Sequence, residues 1–373
     1  MELTFPRQVE SAISGNKWRE LLFQFRGRRI CVTGAAGSLG SLVSEKLAQA
    51  SLQKLILLDQ DETGLYALEQ RLRAQFPSVQ LEICVRSLCG MNIAGFLLRA
   101  QPDGMIHAAA YKHVPVLELQ PEIAILNNFL VTRQLLRAAA HAGVAAFLLI
   151  SSDKAAWPAN VLGLSKRLAE LEILHAARHA NLRLACVRLF NVWGSRGSLV
   201  QTLQRQLAQH QPLTLTHPDM VRRFISAPDA AFWILTAFSL ANRGEIFSPP
   251  LPPPVKIRDV IGHVLQQSAG QSAPDYPIVI TGIRQGERLQ EPWLGPNEKA
   301  EIHPSGMRQI QGQLPQELFA LADLVADAAA SDQPGALRRA LHHWREGFAA
   351  LSQAVSVQPV YNSDTRSFPL ASF

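Results

Sequence analysis

The stretch VTGAAGSLG places Gly34, Gly37 and Gly40 directly after the apolar run RRICVTG and at the start of the helical pattern SLVSEKLAQ. Glycine at these positions permits a tight strand-to-helix turn, and backbone N–H groups at Ser38 and Leu39 can then approach a pyrophosphate at the positive helix end. The next apolar run, LILLD, ends in Asp59, whose carboxylate accepts hydrogen bonds from a dinucleotide ribose and repels a 2′-phosphate. No arginine follows before Arg71, so the pattern favours NAD over NADP. A strand-end Asp that merely caps a turn would read the same way.

Hydride chemistry needs a proton exchanger beside the cofactor. A Tyr four residues before a Lys, one helical turn apart on one face, is a common arrangement. In SSDKAAWPANVLGLSK (151–166) the Lys is present as Lys166, but four positions earlier stands Leu162, which has no proton to give. The titratable groups left in the segment are Asp153 and Lys154. Adjacent strand residues point to opposite faces, so both reach one substrate only if the backbone turns at SDKA. A solvated pair at a strand end, and a solvated surface Lys166, are the alternatives that the residues leave open.

The elements that must hold these groups follow from the rhythm of the chain. Short apolar runs (RRICVTG, LQKLILLD, VQLEICV, GMIHAAA, AAFLLISS, RLACVRLF) alternate with helical segments such as NNFLVTRQLLRAAAHAG, which predicts βαβ units and a parallel sheet covered on both faces. The expected fold is α/β, a Rossmann-type doubly wound parallel sheet with a smaller, mostly helical C-terminal substrate lobe at the sheet's C-terminal edge. Expected boundaries are an N-terminal helical segment at 1–26, the nucleotide-binding domain at 27–190 with 225–250 returning to it, the substrate lobe at 191–224 and 251–352, and a tail at 353–373.

Composition narrows the class. With 47% apolar residues the chain can bury a large core, and the excess of Lys and Arg (36) over Asp and Glu (30) is scattered rather than interleaved with aromatics. That charge suits a small anionic substrate and gives no signature of nucleic-acid binding. Cys31, Cys84, Cys89 and Cys186 lack metal-ligand spacing and read as reduced thiols, which places the chain in the cytoplasm. The longest apolar run, GVAAFLLI, is far below the roughly 20 residues of a membrane span. His107, His113 and His217 also lack metal spacing, so no metal is expected.

Four motifs, HAAAYKHVP (107–115), the 151–166 segment, THPDM (216–220) and GIRQGERLQE (282–291), resemble those of UDP-N-acetylglucosamine 4,6-dehydratases of the polysaccharide-biosynthesis type, a branch of the extended short-chain dehydrogenases. The resemblance runs from about residue 27 to 300. It implies NAD as cofactor, held by Gly34, Gly37, Ser38, Leu39, Gly40, Asp59, Ala108, Ala109 and Lys166. It implies a catalytic set of Ser152, Asp153, Lys154 and Lys166, with Asp153 as the acid at C6 and Lys154 as the base at C5. A UDP-sugar would meet Lys112, Asn191, Ser198, His217, Arg222 and Arg284. Asn191 and Ser198 lie at the mouth of the helix after NVWGSRGS, an anion-binding arrangement, and the two arginines suit phosphate or uracil.

The sequence departs from the family pattern at several places: Leu162 stands where members carry Tyr or Met, Cys84 and Ser87 replace two acidic residues, Arg223 replaces an aromatic, and Gln285 and Gln290 replace Pro and Tyr. A UDP-sugar 4-epimerase and a catalytically silent nucleotide-sugar-binding protein therefore stay open as alternatives. A homo-oligomer is expected through the apolar faces of NNFLVTRQLLRAAAHAG and LGLSKRLAELEILHAARHA.

Overall fold

The computed structural model describes residues 13–179, 181–269, 276–312, 316–331, 333 and 335–353. The fourteen strands are β1 (Arg29–Thr33), β2 (Lys54–Asp59), β3 (Leu81–Val85), β4 (Gly104–His107), β5 (Ala146–Ser152), β6 (Arg183–Leu189), β7 (Asn191–Val192), β8 (Leu213–Leu215), β9 (Val221–Ile225), β10 (Arg243–Ser248), β11 (Pro254–Lys256), β12 (Ile278–Ile280), β13 (Glu298–Ile302) and β14 (Arg308–Gly312). Nine of them form one sheet in the order β13-β14-β10-β6-β5-β4-β1-β2-β3, parallel from β3 to β10. This is the doubly wound α/β sheet expected above.

Alternation along each strand builds a core on both faces. Ile30, Val32, Leu148 and Ile150 face the helices Gly15–Phe23, Ser38–Ala48, Glu62–Gln75 and Ala227–Ser239, while Cys31, Phe147 and Leu149 face Ile93–Ala100, Val131–His141 and Val161–Ala176. The strand order reverses between β1 and β4, and the crevice beyond their C-terminal ends is where such sheets bind ligands. Over it lies a smaller lobe with its own core, in which Trp193, Leu203, Leu213, Phe224 and Ile261 pack together. That lobe carries two short sheets, β11-β9-β7 and β12-β8, besides the helices Leu199–Ala208 and Ile257–Ala269.

Two expectations need correction. Residues 298–312, read as part of the substrate lobe, form the β13–β14 hairpin, which pairs antiparallel with β10 and so belongs to the main sheet. EKAEI, at the sheet's edge, and RQIQG beside it bury few side chains and are largely polar, so they gave no apolar run to detect. The helices Gln316–Ala330 and Ala336–Gln353 pack Leu318, Val325, Leu341 and Trp344 onto Ile125, Phe129, Leu164, Leu168 and Leu171. They thereby cover, within the chain, the apolar face assigned above to subunit contact. The tail from 354 and the first twelve residues lie outside the described residues.

Beneath the end of β5, four buried charges alternate. Arg188 of β6 forms a bidentate pair with Glu170 (Nε to Oε1 and Nη2 to Oε2, both 2.8 Å) and bonds Glu298 of β13 through Nη1 (2.5 Å). Arg167 donates to Glu170 (3.0 Å) and Glu298 (2.8 Å), and Ser151 Oγ donates to Glu170 Oε1 (2.7 Å). Burial alone would raise both carboxyls; the two guanidiniums overcome it and hold Glu170 and Glu298 below the usual range. Glu298→Ala should cost about 3–5 kcal/mol, because it leaves guanidinium charge buried without its counterion. Both carboxyls titrate lower folded than unfolded, so their contribution is present at neutral pH and fades as pH falls below about 4.3. Urea unfolding of both proteins between pH 7 and pH 4 checks this: the wild type should lose stability at the acid end, and the variant should start lower and fall less.

Candidate active site

A cavity of about 800 Å³ opens at the crevice between the two lobes. Gly34, Gly37, Ser38, Leu39, Gly40, Ala108, Lys112, Ser152, Lys154, Lys166, Asn191, Ser198, Arg222 and Arg284 all line it. A second cavity of about 340 Å³ adjoins it and takes in Asp59 and Ala109, with Arg86 and Ser87.

The glycine turn leaves no room for side chains. Gly34 has φ +66°, and a Cβ there would meet Ala109 N at 2.5 Å; a Cβ on Gly40 would meet the Gly34 carbonyl oxygen at 2.0 Å. The helix Ser38–Ala48 begins at Gly37 with no side-chain cap, so its first N–H groups remain for a ligand. Asp59 holds this turn in place: Oδ2 accepts from Ala36 N (2.9 Å) and Oδ1 from Asp61 N (3.0 Å). The carboxylate therefore braces the turn and also borders the smaller cavity. Together the cradle, the helix end and the adjoining cavity fit an extended dinucleotide.

The backbone does turn after β5. Ser152 is the last strand residue, and Asp153–Ala155 form a single 3₁₀ turn that brings the pair together. Lys154 Nζ donates to Asp153 Oδ1 (3.2 Å), and Ser152 Oγ donates to the same oxygen (2.9 Å). Asp153 is buried and, unlike Ser152 and Lys154, lines neither cavity. Leu162, also buried, faces the cavity from the helix Val161–Ala176, packed with Leu117 and Ala124. One turn on, Lys166 Nζ donates to the Ile150 carbonyl (2.9 Å); burial lowers its pKa to about 8, with Glu170 opposing.

Several residues that the motifs did not single out complete the site. Glu291 is buried with Oε1 3.7 Å from Lys154 Nζ and 3.8 Å from Arg222 Nη2, so the turn after β5 and the small lobe share one carboxylate. It closes the GIRQGERLQE motif. Asn128 sits in a π-helical turn, Ile125–Leu130, and uses both ends of its amide: Oδ1 accepts from Tyr111 N (2.9 Å), while Nδ2 donates to Tyr111 O and Ser165 Oγ (both 3.0 Å). It pins the 108–113 loop to the helix of Lys166. Arg196 lines both cavities.

The histidines divide. His107 is buried in β4 between Thr33 (2.6 Å to Nδ1) and Thr132 (3.1 Å to Nε2). Thr132 gives its own proton to the Asn128 carbonyl (2.8 Å), so Nε2 donates and Nδ1 accepts, which is the neutral ring. Burial, then Lys166, lowers its pKa to about 3. His217, expected at the substrate, lies outside both cavities; its Nδ1 accepts from Asp219 N (3.1 Å) and closes the THPDM turn. Asn191 Nδ2 is committed to the Arg223 carbonyl (2.9 Å), and Arg284 opens a turn closed by Glu287.

Residues 30–310 match the family described as polysaccharide biosynthesis protein. The chain belongs to that family. It is 34% identical over 314 residues to the capsular polysaccharide biosynthesis protein CapD of Staphylococcus aureus, a match covering 82% of this chain and 51% of CapD. The chain thus spans about half the length of that relative. It is 31% identical over 279 residues to a UDP-N-acetylglucosamine 4,6-dehydratase (inverting) of Campylobacter jejuni, covering 72% of this chain and 77% of that one. A UDP-glucose 4-epimerase of Rickettsia bellii is 30% identical over 290 residues, covering 76% and 82%. The fold is shared with the dTDP-glucose 4,6-dehydratase DesIV of Streptomyces venezuelae, solved with NAD, at a TM-score of 0.64 and 21% identity over 72% of this chain and 88% of that one. Among the described residues, no helix is long and apolar enough to cross a membrane.

Gly40→Ala tests the cradle. Its Cβ must displace the Gly34 carbonyl, so calorimetric titration should find dinucleotide affinity reduced about tenfold or more. Far-ultraviolet circular dichroism should be unchanged, because the sheet lies outside the disturbance. Unaltered affinity would mean that the turn does not hold the ligand.

Proposed function

We propose that the protein is an NAD-dependent nucleotide-sugar 4,6-dehydratase, converting UDP-N-acetylglucosamine to a UDP-4-keto-6-deoxy sugar for polysaccharide or glycan synthesis. The observation that carries this is the turn after β5: Ser152 and Lys154 line the cavity and both donate to the buried Asp153 carboxylate, while Leu162 lines the cavity from the next helix. Elimination needs an acid and a base close together. An epimerase has less use for such a pair and more need of the absent phenol.

A dinucleotide held by the glycine turn would supply the hydride acceptor for C4 and the hydride donor for C6. The chain's own residues manage the protons. Two are released, from the C4 hydroxyl and from C5, and two are needed, by the departing C6 oxygen and by C5 at the end. Ser152 Oγ, which already donates to Asp153, can pass the hydroxyl proton to that carboxylate and leave Asp153 protonated for the C6 hydroxyl, which departs as water. Lys154 Nζ takes the C5 proton and, after exchange with solvent, returns a proton to C5. Lys166, which lines the cavity and has its pKa lowered by burial to about 8, orients the ribose in this reading.

For the substrate diphosphate, Arg222, Arg284 and the helix start at Ser198 supply positive charge from the small lobe. The four free thiols fit a reducing compartment such as the cytoplasm. Incubation of the purified protein, NAD and UDP-N-acetylglucosamine should give a product lighter by one water in mass spectrometry. A product of unchanged mass would instead indicate epimerisation, and unconsumed substrate would favour a silent binder. Because Leu162 contributes only packing, Leu162→Met should leave turnover close to wild type and cost less than about 1.5 kcal/mol of stability; a large loss of rate would give position 162 a chemical role.

A further inference from the structure

Residues 194–198 bring the small lobe back to the glycine turn, where contacts with the large domain hold them. The backbone N–H of Arg196 donates to Ser38 Oγ (2.8 Å), at the start of the glycine-turn helix, and its guanidinium Nη1 lies 3.3 Å from Asp61 Oδ2, at the cap of the following helix. Gly197 has φ +65°, and the His113 ring occupies the place where its Cβ would stand. Among the described residues, Arg196 is the one charged side chain that lines both cavities.

We propose that Arg196 is the clasp of the dinucleotide, supplying from the small lobe the cation that the pyrophosphate does not receive from the glycine turn, and so setting how long the cofactor stays bound. The inference rests on the NAD assignment above. AAGSLG contains no basic residue, and a helix end provides only about half an elementary charge. Arg196 therefore has to come from the facing lobe. Its present partner does not bind it firmly: both members of the Arg196–Asp61 pair are exposed, at 57% and 43%, so the pair contributes little and exchange to a phosphate is favourable. Lys112, which lines the larger cavity, has no carboxylate partner among the described residues; burial first, and the charge of Arg196 second, hold its ammonium below the usual range. Two cations gathered at one place, one of them unpaired, suit a bound anion. A reaction that returns its hydride in each turnover never has to exchange the cofactor, so a long residence carries no penalty.

The test uses the full chain and NAD itself. NAD affinity is measured by calorimetric titration, and the dissociation rate by trapping released nucleotide, for the wild type, Arg196→Ala, Arg196→Lys and Asp61→Asn. Arg196→Ala should weaken binding roughly tenfold or more, mainly through faster release, with Arg196→Lys in between, because lysine keeps the charge and loses the fork. Asp61→Asn removes the competing anion and should leave binding as tight or tighter. Overturning results are Arg196→Ala within about twofold of wild type, or Asp61→Asn weakening binding as much as Arg196→Ala, which would make the pair a structural tie. A wild type that does not bind NAD would overturn the cofactor assignment, and the clasp with it.

Discussion

Glu170 is the charge around which the reacting groups are arranged. It lies one helical turn beyond Lys166, accepts from Ser151 on the strand that delivers Asp153 and Lys154, and is gripped by Arg188 and Arg167. Glu298 closes the set from the β13–β14 hairpin and also accepts from Gly295 N (2.8 Å). Two positive and two negative groups in alternation satisfy each other out of water, which an isolated buried charge cannot do. The geometric consequence is register: the helix carrying Lys166, the end of β5 and the sheet's far edge are tied at one point directly below the catalytic turn.

Above that tie, the site is divided between two bodies of structure. The large domain provides the cradle, the turn after β5 and Lys166, while the small lobe provides Arg222, Arg284, Ser198 and Arg196. Glu291 joins the two halves, standing between Lys154 and Arg222. Arg222 in the small lobe and Lys154 in the turn after β5 are therefore electrostatically connected through one carboxylate. Leu162 fits this arrangement as packing: it is buried against Leu117 and Ala124 and presents an apolar surface to the cavity.

The parallel sheet and the cofactor cradle were legible because their causes are local. Strands buried on both faces must be apolar throughout, and a close approach of backbone to phosphate demands glycine at fixed offsets, so both leave marks in a short window. The β13–β14 hairpin left none, since its strands bury little and its main contribution, Glu298, is made to partners more than a hundred residues away in sequence. Asn128, Glu291 and Arg196 were within quoted motifs, but their roles depend on which lobe faces which, and that is a tertiary fact. The C-terminal portion was legible as mostly helical, yet the surface that its helices 316–330 and 336–353 cover could not be read from the sequence. His217 shows the converse case: a residue type suited to substrate contact, used instead to close a turn.

In the proposed reaction, proton transfer at C5 belongs to Lys154 in the turn after β5. Incubation with UDP-N-acetylglucosamine in deuterated water, with the label at C5 read by nuclear magnetic resonance, tests this for the wild type and Lys154→Ala. Deuterium should appear at C5 in the wild type, and the rate of its uptake should fall by about 10²-fold or more in the variant. Undiminished uptake in Lys154→Ala, with NAD bound to both proteins, would contradict it.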